Sequence, residues 1–243
     1  MGIAGNINNV NEKIAAAAKR SGRSPEDILL VAVTKTRSPE EISEAIKSGC
    51  LDIGENKVQE IIGKYDIVGA NTEKTDKIPN IKWHMVGHLQ RNKVKYLIEK
   101  VDLIHSVDSI RLAEEISKKA SEAGLVMDVL IQINPADEES KFGIDPEKTK
   151  DMVRLLCEEY PGIRVRGLMC MAPQVDDPED VRGDFRLMKE LFDEVRKNSS
   201  GIDILSMGMT NDYEIAVEEG STLVRVGTAI FGPRTVPWKG PEN

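Results

Sequence analysis

Several residue types are scarce in this sequence, and each shortage excludes a class of protein or site. Aromatic residues make up 4% of the 243 residues, and only three histidines are present. The cysteines are also three, and they are far apart: Cys50, Cys157 and Cys170. An odd number of isolated cysteines argues against a disulfide framework and against a structural zinc site. With so few candidate ligands, we predict no bound metal.

The sequence also lacks an excess of positive charge and any long apolar run. Lysine and arginine number 33 against 41 acidic residues, which gives a net charge of −8 and a pI near 5.1. This balance argues against nucleic acid or an anionic membrane as the main partner. No segment is long and apolar enough to span a bilayer, and residues 1–6 do not read as a signal peptide. We therefore expect a cytoplasmic protein with neither partner.

What the sequence does contain is a regular alternation of strand-like and helix-like segments. The strand-like segments are residues 29–36, 51–56, 81–87, 103–107, 127–134, 163–171, 204–207 and 223–226. Helix-start signals lie between them, at Ser38-Pro39, Asp108-Ser109, Asp145-Pro146 and Asp177-Pro178. Eight such units in about 250 residues predict an α/β protein of the (β/α)8 TIM-barrel type. A doubly wound open sheet is the alternative, but no GxGxxG turn follows the first strand.

The remaining segments complete a single-domain interpretation of residues 1–243. An amphipathic pattern over residues 6–19 predicts an extra helix before the barrel, which we place at about residues 28–232. Residues 66–80 are polar and are predicted to be a surface loop. Residues 233–243 contain three prolines and no periodicity, so they are predicted to be a loosely held C-terminal tail.

The first strand ends in Lys35, which is the most informative residue of the chain. Active sites of α/β folds collect at the carboxyl ends of strands, and lysine is costly to bury. Lys35 therefore either reaches solvent past the barrel mouth or has a chemical task. Two other strands also carry polar residues near their ends. Asn56 is a ligand contact or a helix N-cap, and His84 is a pocket residue or a satisfied core histidine.

The last two strands are followed by turns that suit an anion. Ser206, Gly208 and Met209 lie in the turn after the seventh strand, and Gly227 and Thr228 follow the eighth. Phosphate binding after strands seven and eight recurs in this fold. The alternative is that both glycines only allow tight turns.

A phosphate site and a lysine at one barrel mouth would suit a phosphorylated aldehyde held as an imine, and pyridoxal 5′-phosphate (PLP) is the natural candidate. Arg225, in the eighth strand, is then placed to meet the ring nitrogen. Because arginine always donates, it would leave that nitrogen without a proton and weaken the ring as an electron sink.

These residues resemble those of the pyridoxal phosphate homeostasis proteins, the YggS/PROSC family. The matching segments are VAVTK (31–35), GEN (54–56), VQE (58–60), WH (83–84), GHLQRNK (87–93), ESK (139–141), GLM (167–169), LSMGM (205–209) and VRVGTAIFG (224–232). The family is similar to the N-terminal barrel domain of alanine racemase. Thr210 stands where the family usually has serine, and Cys170-Met171 replaces a more commonly small or polar pair.

The resemblance implies specific roles for the candidate residues. Lys35 is implied as the Schiff-base lysine and Arg225 as the partner of the ring nitrogen. Phosphate contacts are implied for Ser206 to Met209 and for Gly227 and Thr228. Asn56 and His84 are expected to line the same pocket.

The resemblance also implies a PLP-binding protein of intracellular PLP homeostasis or carriage, with PLP-dependent apoenzymes as possible recipients. We expect a monomer without efficient amino-acid turnover. Eleven residues follow Gly232, which leaves no room for the second domain of bacterial-type alanine racemases, and all four tyrosines fall in predicted helices or at a helix end. The alternatives are a small PLP-dependent racemase or lyase and a cofactor-free sugar-phosphate enzyme.

Overall fold

Eight parallel strands form a closed barrel in the computed structural model, which describes residues 2–73, 80–135 and 142–233. Each strand pairs with the next in sequence, and the first strand pairs with the eighth to close the barrel. The strands are β1 (Leu29–Val33), β2 (Asp52–Glu55), β3 (Lys82–Met85), β4 (Leu103–Val107), β5 (Met127–Ile133), β6 (Ile163–Cys170), β7 (Ile204–Ser206) and β8 (Leu223–Val226). The predicted (β/α)8 fold is confirmed.

Helices surround the barrel and connect its strands. They are α1 (Ile3–Arg20), α2 (Pro39–Lys47), α3 (Val58–Glu73), α4 (Ile110–Glu122), α5 (Thr149–Glu159), α6 (Arg182–Asn198), α7 (Tyr213–Glu218) and α8 (Thr228–Phe231). Between β3 and β4 the chain forms only a 3-10 helix, Arg91–Tyr96. No helix in the described ranges has an apolar stretch long enough to cross a bilayer.

Side-chain N-cap hydrogen bonds are present at the four helix starts that the sequence predicts. Ser38 and Glu41 form a capping box at the start of α2, in which each side chain accepts a hydrogen bond from the other residue's backbone N–H. The Ser109 hydroxyl accepts from Leu112 N–H at the start of α4. Asp145 and Asp177 cap short 3-10 turns that lead into α5 and α6.

The prediction of a surface loop over residues 66–80 is wrong for its first half. Helix α3 continues to Glu73, and Ile61, Lys64, Val68 and Thr72 share its buried face. Two of these four are polar, so the helical spacing was hidden in a sequence that looked like solvent-exposed chain. Residues 74–79 lie outside the described ranges.

The helix that precedes the barrel is firmly packed. Helix α1 buries Ile7, Val10, Ile14, Ala17 and Ala18, and it contacts α2, α7 and α8. The Asn6 side-chain amide donates to the Ile230 carbonyl at 2.7 Å, which links α1 to α8. The described helix begins three residues earlier than predicted and ends one residue later.

The apolar core has two parts of unequal size. The larger part fills the space between the strands and the surrounding helices. The smaller part lies inside the barrel and consists of Val31, Leu103, Leu130, Met169 and Leu223. The rest of the barrel interior is available for polar side chains, and these build the candidate site.

Candidate functional site

A cavity of about 510 Å³ opens at the carboxyl ends of the strands. Its polar lining is supplied by β8 and by the segments that follow β1, β2, β6, β7 and β8: Lys35, Arg37, Asn56, Gln174, Thr210, Asn211, Asp212, Arg225 and Thr228. The volume falls within the range of about 300–1,000 Å³ that is typical of small-molecule pockets. Among the described residues, three basic side chains and one carboxylate line it, so this lining favours an anionic ligand.

Strand register brings Lys35 and Arg225 to this one cavity. Val31 of β1 lies opposite Arg225 of β8, and side chains two and four residues further along a strand face the same side. Lys35 therefore continues the inward face of Val31 above the level of Arg225. Gly227 lies against Val33, where an added Cβ would come within 3.2 Å of the Val33 carbonyl oxygen. The absence of a side chain at Gly227 keeps this part of the cavity open.

Arg225 is fully buried and held by two hydrogen bonds. Its Nη1 donates to the Ser206 hydroxyl, and its Nη2 donates to the Cys170 carbonyl at 2.8 Å. Burial lowers the pKa of Arg225, and the nearby Asp212 carboxylate acts in the opposite direction. The guanidinium is therefore a fixed donor at the floor of the cavity.

The turn after β7 is tightly built but only partly open to a ligand. Gly208 has φ +94°, and an added Cβ would lie 2.5 Å from the Ala216 Cβ, so only glycine fits there. The Met209 N–H donates to the Asp212 carboxylate at 2.5 Å. Burial raises the pKa of Asp212, while its bond from Met209 and the nearby Arg225 oppose that shift.

A buried ion-pair cluster, the ionic clamp, lies directly behind Lys35. It consists of Glu55 at the end of β2 and of Glu60 and Lys64 on α3. The Lys64 ammonium contacts Glu55 at 2.8 Å and Glu60 at 2.7 Å, and it donates to the Thr34 carbonyl at 3.0 Å. Burial raises the pKa of Glu55 to about 7, despite the opposing Lys64 charge.

The ionic clamp holds the residues on both sides of Lys35. The Thr34 hydroxyl donates to Glu55 at 2.7 Å, and the Thr36 N–H donates to Glu60 at 2.6 Å. Thr36 has φ +67°, a conformation that costs a β-branched residue about 1–3 kcal/mol. These contacts stabilise the unfavourable turn that directs Lys35 into the cavity.

His84 lies deeper in the barrel than the cavity that Lys35 lines. Its side chain faces the barrel interior, but it comes before the end of β3, and Val86 is the residue of that strand segment that reaches the cavity. His84 instead borders a separate cavity of about 430 Å³, together with Asp52 and Lys82 from the amino ends of β2 and β3. His84 is therefore not among the described residues that line the cavity of Lys35.

His84 belongs to a series of buried polar groups that we call the histidine chain, which consists of Asp52, His84, His105 and Ser206. His84 Nε2 lies 3.0 Å from Asp52 Oδ1, and His84 Nδ1 lies 3.0 Å from His105 Nε2. His105 Nδ1 lies 3.1 Å from the Ser206 hydroxyl, which contacts Arg225. The histidine chain thus ends directly beneath the cavity.

Most of the residues predicted for the site come together in the structure. Those that line the cavity are Lys35, Asn56, Met209, Arg225, Gly227 and Thr228. Ser206 and Gly208 do not line it, because Ser206 lies beneath Arg225 and the Gly208 carbonyl accepts from the Arg225 N–H at 3.0 Å. The matching segment at residues 139–141 lies outside the described residues.

Sequence reasoning missed Arg37 as a cavity residue. Arg37 is two residues beyond Lys35, so continued alternation after β1 was the available signal. Its guanidinium is mostly buried and donates to the carbonyls of Gly232 and Pro233 beyond α8. Arg37 therefore adds a second positive charge, beside Lys35, on the β1 side of the cavity, and it links this side to the segment that follows β8.

Comparison with known proteins gives a consistent set of similarities. Residues 6–235 match the family model described as alanine racemase, N-terminal domain. The chain is 43% identical to the pyridoxal phosphate homeostasis protein of Aquifex aeolicus, covering 94% of this chain and 96% of that protein. It is 39% identical to the protein of the same name from Escherichia coli K12, covering 96% and 97%.

Similarity to a solved structure points to the same group. PipY of Synechococcus elongatus PCC7942, in a structure with PLP bound, superposes with a TM-score of 0.73 at 32% identity. The match covers 92% of this chain and 100% of PipY.

Proposed function

The chain belongs to the family of the alanine racemase N-terminal domain and, within it, to the pyridoxal phosphate homeostasis proteins, and from this premise we propose that it binds PLP and acts in intracellular PLP homeostasis. The observation that carries the proposal is the convergence of Lys35 and Arg225 on one cavity. A lysine suits the aldehyde of PLP, and a buried arginine suits an acceptor on its ring.

The charges around the cavity fit this ligand. PLP carries a phosphate group and a phenolic oxygen, and the described part of the cavity lining offers Lys35, Arg37 and Arg225 against one carboxylate, that of Asp212. Thr210 and Thr228 add hydroxyl groups on the side of β7 and β8. The Met209 N–H donates to Asp212 at 2.5 Å, whereas the Gly227 N–H makes only a long bond of 3.4 Å, to the Thr210 hydroxyl, so we assign the main phosphate contacts to Thr210, Gly227 and Thr228.

Each residue then has a defined task. PLP, when bound, supplies an aldehyde and an electron-withdrawing ring. Lys35 would hold the aldehyde carbon as a Schiff base, and Asn56 would border the ring. Arg225 would donate to the ring nitrogen and keep it unprotonated, because a guanidinium does not give up its proton near neutral pH. This arrangement suits holding PLP more than it suits stabilising a carbanion.

The distribution of tyrosines supports carriage over catalysis. All four tyrosines lie in described parts of the chain, and none of them lines the cavity. Two-base racemisation needs a second acid or base on the opposite face of the cofactor from the lysine. We therefore propose a carrier without efficient amino-acid turnover, which delivers PLP to apoenzymes.

The proposal includes a monomeric protein in the cytoplasm. In its support, the large apolar side chains that are exposed in the described ranges come from many separate segments, and only Leu125 and Val126 are consecutive: Leu29, Ile62, Tyr96, Ile110, Leu125, Val126, Phe142 and Leu187. A light-scattering mass near 26.9 kDa, with and without PLP, would agree with a monomer. A stable mass of twice that value would contradict it.

Borohydride reduction of the PLP-loaded protein, followed by peptide mass mapping, tests the site. We expect one pyridoxyl adduct, on Lys35, and none in Lys35→Ala. Lys82→Ala is the matched control, since Lys82 lies near the opposite end of the barrel and should leave the adduct unchanged. An adduct on another lysine would contradict the site, and sustained turnover of an amino acid by wild type but not by Lys35→Ala would establish the racemase or lyase alternative.

A further inference from the structure

The histidine chain connects the two ends of the barrel interior. Asp52 borders the cavity at the amino ends of the strands, and Arg225 lines the cavity at their carboxyl ends. Between them lie His84, His105 and Ser206, all buried. Four consecutive contacts join these five residues, each within hydrogen-bond distance.

The two ends determine the direction of every hydrogen bond. A guanidinium can only donate, so Arg225 Nη1 donates to the Ser206 hydroxyl oxygen. An ionised carboxylate can only accept, so His84 Nε2 carries a hydrogen and donates to Asp52. A neutral His84 must then accept at Nδ1 from His105 Nε2–H.

The hydrogen bonds in the middle of the histidine chain have the same direction. His105 donates from Nε2, so its Nδ1 is an acceptor when the ring is neutral, and the Ser206 hydroxyl hydrogen points to it. Every donor then has an acceptor, and each group donates toward Asp52. Burial lowers the pKa of His105 well below its ordinary value, with the His84 ring and the Arg225 charge acting in the same direction.

A doubly protonated His84 gives a poorer arrangement. It would donate to His105 Nε2, so that His105 would carry its hydrogen on Nδ1 and donate it to Ser206. Ser206 would then accept from both His105 and Arg225, and its hydroxyl hydrogen would have no acceptor within the described residues. A second cation would also lie in the same barrel interior as the Arg225 guanidinium, and like charges disfavour one another.

We propose that Asp52, His84, His105 and Ser206 are positioning residues for Arg225, joined in a one-way series of hydrogen bonds in which both histidines are neutral and protonated at Nε2. The series holds the Arg225 guanidinium from below, while the Cys170 carbonyl holds it from the side. Its remaining donors are thereby fixed toward the cavity. The link to PLP rests on the proposed function, but the protonation pattern does not.

NMR of histidines labelled with ¹⁵N tests the pattern in the protein without PLP. The chain has three histidines, and His88 is the exposed one that serves as an internal comparison. We expect His84 and His105 to show the neutral Nε2–H form near neutral pH. A neutral Nδ1–H form or a doubly protonated ring at either position would overturn the proposal, whether or not the protein binds PLP.

Two buried serines provide a matched pair for the link to PLP. The Ser221 hydroxyl, like that of Ser206, is completely buried, but the acceptors within reach of its one hydrogen are backbone carbonyls, those of Leu205, Met207 and Leu223. The readout is the visible absorbance of bound PLP as a function of pH. The positive charge of Arg225 disfavours a protonated Schiff base, and this effect should weaken when Arg225 is held less firmly. We therefore expect Ser206→Ala to raise the midpoint of the absorbance change by about one pH unit.

The controls separate this role from a loss of stability. Ser221→Ala should leave the midpoint unchanged, and Ser206→Thr, which restores a hydroxyl, should return it toward wild type. Asp52 lies at the partly exposed far end of the histidine chain, so Asp52→Ala should also raise the pH midpoint, by a smaller amount. This second variant keeps the test valid if Ser206→Ala fails to fold. An unchanged midpoint in Ser206→Ala or Asp52→Ala would contradict the link. Failure of wild type to bind PLP would contradict the proposed function alone.

Discussion

The ionic clamp and the histidine chain support the same cavity in opposite ways. The ionic clamp lies outside the barrel wall, between β2 and α3, and holds the neighbours of Lys35 with charged groups. The histidine chain lies inside the barrel and holds Arg225 through groups that, apart from Asp52 at its end, we infer to be uncharged. The ionic clamp comes from residues 55–64, whereas the histidine chain draws on four strands.

The difference concerns what each arrangement can tolerate. A buried charge that loses its partner is strongly destabilising, so the ionic clamp is sensitive to each of its members. A neutral hydrogen-bonded group that loses a partner costs less. The histidine chain also requires a closed barrel, because β7 and β8 must meet β3 and β4 across its interior. The support of Lys35 is therefore local and costly to break, and that of Arg225 is spread across the fold.

The largest expected effect is that of Lys64→Met, which leaves Glu55 and Glu60 without their shared cation. We expect a loss of about 3–5 kcal/mol in the free energy of unfolding, measured with urea. Lys82→Met is the control, because its ion pair with Asp102 is exposed and should contribute less than about 1 kcal/mol. Equal losses in the two variants would show that the buried ionic clamp contributes no more to the free energy of unfolding than an exposed ion pair does.

The second-largest expected effect is a pH dependence of stability that comes from Glu55 of the ionic clamp. The pKa of Glu55 is raised to about 7 in the folded protein, so its contribution is fully present below about 4.5 and is lost as the pH rises through 7. In Glu55→Gln we expect this slope to disappear, a difference of ~3 kcal/mol between the two ends of the range. Urea titrations at a series of pH values measure it. A parallel curve for wild type and variant would contradict the raised pKa.

A smaller loss is expected when the histidine chain is interrupted. His105→Leu removes two neutral hydrogen bonds, and we expect a loss of about 1–3 kcal/mol in the free energy of unfolding. The variant should nevertheless weaken PLP binding, measured by titration of the bound-cofactor absorbance. If His105→Leu destabilised the protein as much as Lys64→Met, the contrast between neutral and charged support would fail.

The smallest effect is expected at Thr36, where the ionic clamp holds an unfavourable turn. Glycine adopts φ +67° without strain but loses more backbone entropy on folding, so Thr36→Gly should change the free energy of unfolding by less than about 1 kcal/mol. Thr36→Val keeps the β-branch and serves as the matched comparison. A large destabilisation by glycine would show that the left-handed turn is not a source of strain.

The sequence was informative where the chemistry falls at strand ends. Lys35, Asn56 and Arg225 were identified because each sits at or just beyond the mouth of a strand that the apolar pattern defines. The depth of His84 and Ser206 below the described cavity lining could not be predicted, because a strand pattern does not say how far each residue lies below the mouth. The ionic clamp was missed because the sequence pattern does not show that a lysine is buried; the burial of Lys64 depends on how α3 packs against β2.

The position of α1 has a consequence for synthesis of the chain. Helix α1 is synthesised before α7 and α8, on which it packs. The part of its apolar face that contacts these two helices has no packing partner until they have been made. Closure of the barrel, docking of α1 and completion of the cavity therefore become one late folding event, and a nascent chain that stops before Arg225 has neither the barrel nor the site.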